Sequence, residues 1–269
     1  MKKIIIPTDF SINAQKAIDY ALRLFKSEAC MFYIIHAFHD APSSESSKAT
    51  TQKNLNVLIE KLKSQYNTEN YQFEGILKTD SVLNLTNKII TEKSADYVFM
   101  GTKGTSALRQ LLVGSNTLDL IKYLENCPLM IIPSEYDCNS TQEIVFATDY
   151  KHTFTSIELK PLIQMVSLCK ATLNIAYIKT SEHLSEIQEK NKESLRNSLN
   201  QTRHLFFQLN LQDTVADTLH KIEKENKNIG LISILKTKHG FFQQLTRENI
   251  VKNITFKTKI PLLVLPQIK

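Results

Sequence analysis

The sequence predicts an α/β fold built as two tandem doubly wound domains, each with a five-stranded parallel sheet. Three observations predict it. The chain repeats itself, strand-like runs alternate with helix-like periodic segments, and most of the strand-like runs are apolar throughout, as in sheets covered on both faces. "IIIPTDFS" at 4–11 resembles "IVFATDYK" at 144–151, and "CPLMIIP" at 127–133 resembles "IPLLVLP" at 260–266. Between them, at a constant offset of 133, Asp80-Ser81-Val82 meets Asp213-Thr214-Val215, Ile89 meets Ile222 and Pro128 meets Pro261. A register held over that length argues for duplication. The polar stretch "SEYDCNSTQ", 134–142, lacks apolar periodicity and divides the chain into domains at 1–138 and 139–269. Each half is of a size that buries its own core. Two tied copies are expected to pack as an intrachain pseudo-dimer.

In the first half the elements follow in regular order. Ile4 to Pro7 is a short buried strand, and Ser11 caps a helix whose Ala14, Ala17, Ile18, Ala21, Leu22 and Phe25 recur at three- and four-residue steps. "CMFYIIHAF", 30–38, has the length and the β-branched and aromatic content of a central strand. "HDAPSSESS" is a surface loop, followed by an amphipathic helix over roughly 48–66 with Leu55, Leu58, Ile59 and Leu62 inward. "YQFEGILK" is a third strand, 82–94 a third helix, "DYVFMG" a fourth strand, 115–126 a fourth helix and "PLMIIP" a fifth strand. In the second half Pro161 falls within the segment expected to be the first helix, so that helix must start late or kink.

Composition narrows the class of function. An apolar fraction of 42% with 22% charged residues is that of an ordinary folded chain. Met-Lys-Lys-Ile-Ile-Ile begins like a secretory signal, but Pro7 and Asp9 interrupt it, and no apolar run approaches a membrane span. Cys30, Cys127, Cys138 and Cys169 have no C-x-x-C spacing, which suggests neither a zinc site nor a disulfide framework. A cytoplasmic location without membrane partners is expected. The net charge of +6 lies in the second half, which holds 18 of the 33 basic and 12 of the 27 acidic side chains. There Lys190, Lys192, Arg196 and Arg203 alternate with Glu186, Glu189 and Glu193 as on a solvated helix face, so no nucleic-acid partner is expected.

The residues that carry chemistry concentrate in "MGTKGTSALRQLLVGSNT", 100–117, which holds three of the six glycines. Gly101 ends the fourth strand, at the carboxyl edge where such Rossmann-like sheets bind ligands. Gly101 and Gly104 let main-chain amides approach a polyanion. Gly114 precedes Ser115-Asn116-Thr117, whose amides open a helix and have no partners within it. Those amides, the helix dipole and two hydroxyls make a phosphate site. Lys103 and Arg109 lie between and supply positive charge. Neither G-x-x-x-x-G-K-[ST] nor G-x-G-x-x-G occurs, which argues against a GTPase or a dinucleotide dehydrogenase.

Gly101, Gly104, Gly114 and Ser115 form G-x2-G-x9-G-[ST]. With the initial "IIIPTDFS" and the terminal "CPLMIIP" they make the chain resemble the universal stress protein family in its tandem two-domain form. That resemblance implies a strand order 3-2-1-4-5 in each domain and bound ATP. It implies that Thr8 and Asp9 contact ribose or adenine, that Ala37 holds the adenine edge through its backbone, and that Met100 lines the adenine pocket. Gly101 and Gly104 would pass close to ribose and phosphates, and Gly114, Ser115, Asn116 and Thr117 would bind the phosphate tail. Lys103 stands where many family members carry histidine. A Mg2+ or Mn2+ ion near Asp9 would be held mainly by the nucleotide. The resemblance also suggests that the two fifth strands pair within the chain, with a homodimer as a further assembly.

At the offset of 133 the second half has Ile234 for Gly101, Thr237 for Gly104, Arg247 for Gly114 and Glu248 for Ser115, while Asp149 stays. One nucleotide site per chain is expected, in the first half. The leading reading is a nucleotide-dependent binding or signalling module of the stress response, with no catalytic residue assigned. Two others stand beside it: a slow ATPase or ATP-dependent transferase, and a scaffold that binds no nucleotide.

Overall fold

The computed structural model describes residues 1–39, 47–66, 69–102, 114–136, 141–179, 181–237 and 258–268. The first half runs β1 (Lys2–Pro7), α1 (Ile12–Leu24), β2 (Cys30–Phe38), α2 (Lys48–Gln65), β3 (Tyr71–Thr79), α3 (Val82–Lys93), β4 (Tyr97–Gly101), α4 (Ser115–Tyr123) and β5 (Leu129–Ile132). The second runs β6 (Glu143–Thr148), α5 (Ser156–Cys169), β7 (Thr172–Lys179), α6 (Glu186–Ser198), β8 (His204–Asn210), α7 (Val215–Glu225), β9 (Ile229–Lys236) and β10 (Leu262–Pro266). The boundary expected near 138 lies at 137–140, outside the described residues.

All ten strands form one sheet, in the order β3-β2-β1-β4-β5-β10-β9-β6-β7-β8. Each half contributes a parallel set whose own order is 3-2-1-4-5, and the two sets meet where β5 and β10 run antiparallel, Leu263 opposite Met130. Alternate residues of a strand face opposite sides. Ile4 and Ile6 therefore enter one apolar layer with Phe32 and Phe99, and Ile5 enters the other with Val98 and Ile131, all fully buried. Both layers continue across the β5–β10 seam into the second half. Burial of a continuous core, rather than the few polar ties, is what joins the halves.

The ties lie at the margins of the seam. Gln164 of α5 accepts from the Tyr97 hydroxyl at 2.9 Å and from Lys2 at 3.1 Å. Lys236, the last residue of β9, donates to the Leu124 carbonyl at the carboxyl end of α4, at 3.0 Å. Burial lowers the Lys236 ammonium from its ordinary value to about 8, against the opposing pull of Glu125. Between about pH 8 and 10 the unfolded chain then holds a proton that the folded one has lost, so this group makes stability rise with pH over that window. Cys30, Cys127 and Cys169, whose thiols burial pushes above their ordinary value, act in the opposite sense, so the expected result in thermal melts from pH 7 to 10 is a difference: wild type gains stability relative to Lys236→Met as pH rises.

The duplication is real, but the constant offset is not. Element by element, β1 and β6 match at 140 (Thr8 and Thr148), β4 and β9 at 134 (Ile4 opposite Tyr97, Ile144 opposite Leu231), and β5 and β10 at 133. The caps of α1 and α5, Ser11 and Thr155, differ by 144. Loops absorb insertions that packed strands cannot. Relative to β6, α5 therefore starts four residues later than α1 does relative to β1, and Pro161 lies inside it. The later start does not clear the proline, which is the sixth residue of α5 and lies past its first turn.

Candidate functional site

Six of the seven described helices begin on a hydroxyl residue whose side chain accepts from a first-turn amide: Ser11, Ser47, Ser81, Thr155, Ser185 and Thr214. The seventh, α4, begins on Gly114, which offers no side chain. Its first-turn amides receive no side-chain cap and open toward solvent at Ser115 and Asn116, both exposed. The helix end is therefore left as a donor-rich, positive terminus.

That terminus faces a cleft at the carboxyl ends of β1, β2 and β4, beside the point where strand order reverses between β1 and β4. Counting space open to solvent, the cleft holds about 700 Å3. Thr8, Asp9, Ala37, Met100, Gly101, Gly114, Ser115, Asn116 and Thr117 all line it, together with Pro7, Ala14, Ile35, His36 and Val82, which the sequence did not single out as site residues. Nine of the twelve expected residues are thus brought together. The other three, Lys103, Gly104 and Arg109, lie outside the described residues.

The floor of the cleft is set by a turn that the sequence encodes twice. After β1 the chain passes through Phe10 at φ 62°, a left-handed conformation that non-glycine residues seldom adopt. The Thr8 hydroxyl accepts from the Phe10 amide at 3.0 Å and the Asp9 carboxylate from the Ser11 amide at 3.1 Å. These short side chains offset the strain by capping the turn locally. The second half repeats the arrangement atom for atom: Tyr150 has φ 57°, Thr148 accepts from its amide and Asp149 from that of Lys151. In the first half His36 Nδ1 lies 2.7 Å from the Thr8 carbonyl, and with the proton on Nδ1 it donates there; the Phe10 ring stacks on the imidazole at 5.0 Å. His36 is a support for the turn, and among the described residues no nucleophile and base converge on it.

Two of the expected residues act on the protein itself. The side a Cβ would occupy at Gly101 is filled by Asn13 of α1, with the Asn13 amide nitrogen 2.5 Å and its backbone carbonyl 2.8 Å from the ideal position. Glycine here lets α1 reach the strand end. The Thr117 hydroxyl donates to the Gly101 carbonyl at 2.9 Å, and Thr117 is buried. It fastens the first turn of α4 to the end of β4, while its amide remains part of the donor-rich terminus. No sequence signal pairs Asn13 with Gly101, because the contact is made only by tertiary packing.

The corresponding place in the second half is closed, and by more than the lost glycines. The strand register puts Leu235, rather than Ile234, at the position of Gly101, since Leu231 faces Ile144 as Tyr97 faces Ile4. Arg247 and Glu248 lie outside the described residues. The longer connection to α5 is folded down instead: Gln188 of α6 donates to the Asp149 carbonyl at 2.7 Å and Asn191 to that of Tyr150 at 2.9 Å. Tyr150 is buried against Tyr177, ring centroids 5.1 Å apart, where its counterpart Phe10 is 37% exposed. The remaining depression holds about 260 Å3. The late start of α5 was the sequence trace of this loop.

Among the described residues no group of three or more His, Cys, Asp or Glu side chains is placed to hold a metal ion, and no helix is long and apolar enough to cross a membrane.

The model of the universal stress protein family matches residues 1–133. A universal stress protein of Methanocaldococcus jannaschii is 27% identical over 146 residues, covering 49% of this chain and 81% of that protein. Among solved structures, a universal stress protein from Archaeoglobus fulgidus superposes with a TM-score of 0.64 at 13% identity, covering 98% of this chain and 96% of its own. A functionally unknown protein of Pseudomonas aeruginosa gives 0.63 at 13% identity, with 99% and 92% covered. The cytoplasmic domain of a prokaryotic cation chloride cotransporter gives 0.58 at 10% identity, with 98% and 95% covered. At these identities the structural likeness speaks for the fold.

Proposed function

Because the chain belongs to the universal stress protein family through residues 1–133, we propose that its first half binds ATP and that the protein works in the cytoplasm as a nucleotide-dependent binding or signalling module. The observation that carries this reading is the uncapped start of α4 on the cleft between β1 and β4. Bare first-turn amides at a helix's positive end suit a phosphate group, and the apolar walls formed by Ile35, Ala37, Val82 and Met100 suit a flat base. The residues present fit the nucleotide: Ser115 and Asn116 would meet the phosphate tail, Thr8 and Asp9 the ribose side, and the Ala37 backbone the base edge. Lys103 and Arg109 would add charge from the intervening loop. Any Mg2+ or Mn2+ would arrive with the nucleotide, since among the described residues lining the cleft Asp9 is the one carboxylate.

Small molecules released from denatured, purified protein should include an adenine nucleotide by mass spectrometry. Calorimetric titration should give one equivalent of ATP per chain. A stoichiometry of two equivalent sites, or of none, overturns the reading. A sharper test uses Ser115→Glu. Ser115 is exposed, and a carboxylate at the first helical position favours the helix itself. The variant should keep its apo melting temperature while its Kd for ATP rises by at least about tenfold, roughly 1.4 kcal/mol. A purely structural role for the loop predicts no change in affinity.

A further inference from the structure

The ten-stranded sheet ends on β8, and among the described residues no strand pairs with its outer side. The Leu173 amide donates to the Arg203 carbonyl, and Leu173 sits opposite His204. In a parallel ladder this fixes the parity: Arg203, Leu205, Phe207 and Leu209 turn their backbone groups to β7, so those of His204, Phe206, Gln208 and Asn210 face outward. The strand reads "HLFFQLN", without charge, proline or glycine. Natural sheet edges are normally blunted by such residues. The opposite edge, β3, has Glu74, Gly75 and Lys78. On β8 nothing blunts the edge, and Leu205 is 62% exposed.

We propose that β8 is an interface for a second copy of this chain, pairing antiparallel with its counterpart about a twofold axis at Phe207 and joining the two sheets into one. The parity of the strand supports that centre. Only an axis on a residue, rather than between two, sets outward backbone groups against outward ones, and Phe207 is the choice that uses all four: Phe206 with Gln208 of the second copy, and His204 with Asn210. Leu205 then lies against Leu209 of the second copy, at the closer spacing of a non-hydrogen-bonded pair. No like charges meet along the strand. Beyond its ends, exposed Arg203 falls opposite exposed Leu211, and exposed Asp213 follows in the bend before α7, so charges of opposite sign flank the paired strands in both symmetry-related places. An isologous contact of this kind closes on itself as a dimer.

Sedimentation velocity over a dilution series tests it, with hydrogen exchange as the local readout. The wild type should dimerise reversibly, and the Phe206 and Gln208 amides, which face away from β7, should be protected in the dimer and exchange freely on dilution. Leu205→Lys places a charge on the edge at an exposed position. Gln208→Pro removes one outward donor and leaves the β7 ladder intact. Each should weaken dimerisation at least about tenfold, roughly 1.4 kcal/mol, while melting like the wild-type monomer. A wild type that stays monomeric at every concentration overturns the proposal. So does a dimer that survives both substitutions, or one whose Phe206 and Gln208 amides exchange as fast as in the monomer.

Discussion

Gly101→Ala is expected to destabilise the protein by about 2 kcal/mol, within the usual range for overpacking a tight site, and to weaken the ATP binding proposed for the first half as well. The added methyl would lie 2.5 to 2.8 Å from three atoms of Asn13. One of those atoms is a backbone oxygen, so rotating a side chain cannot relieve the contact. Either α1 moves away from the strand end or β4 does, and both carry walls of the cleft. The Gly101 carbonyl is also what the Thr117 hydroxyl holds. A shift of β4 therefore displaces the start of α4. Thermal melting checks the first effect and titration with ATP the second. Asn13→Ala in the Gly101→Ala background should recover part of the lost stability, because it removes two of the three clashing contacts. Unchanged melting in Gly101→Ala would mean that the approach of α1 to β4 is looser than the geometry requires.

Glu158→Ala should have the larger effect on stability, about 3 kcal/mol, or roughly 10 °C in melting temperature for a chain of this size. The Glu158 carboxylate is 1% exposed and collects four partners. The Thr155 amide donates at 2.9 Å and the Thr155 hydroxyl at 3.0 Å; His152 approaches at 3.1 Å, and the Ile268 amide donates at 3.2 Å. It closes the capping box of α5 and anchors the end of the chain in one stroke. Burial alone would raise this carboxyl, but the Thr155 amide, the hydrogen bond and charge of His152 and the Thr155 hydroxyl together hold it below its ordinary value. A depressed carboxyl contributes stability that is present above its unfolded value, about 4.3, and lost as pH falls through the folded one. Melts from pH 7 to 3 should therefore show Glu158→Gln losing less stability on acidification than the wild type. Parallel pH dependences in the two proteins would remove Glu158 from the account.

Much of this architecture was written locally. The apolar runs of β1, β2, β4 and β5 announce strands buried on both faces, and Ser11, Ser47 and Ser81 announce helix starts because a hydroxyl can serve a first-turn amide without help from elsewhere. The repeated Thr-Asp-aromatic turn was legible as a repeat, though its left-handed residue was not, since Phe10 and Tyr150 are poor candidates for positive φ by composition. The cleft was legible through Gly114 and the residues after it, again because an uncapped helix start is a local property.

The sequence by itself determined the fold class, the duplication and the half that keeps an open cleft, because periodicity, caps and glycine placement act over a few residues. Tertiary structure alone decided the rest. It made one sheet of ten strands, since β5 and β10 find each other across more than a hundred residues. It gave Gly101 to Asn13, and it closed the second site with Tyr150, Gln188 and Asn191 rather than with lost glycines alone. Those contacts join residues that are distant along the chain, and what selects them is the burial of shared surface, which no local window of sequence measures.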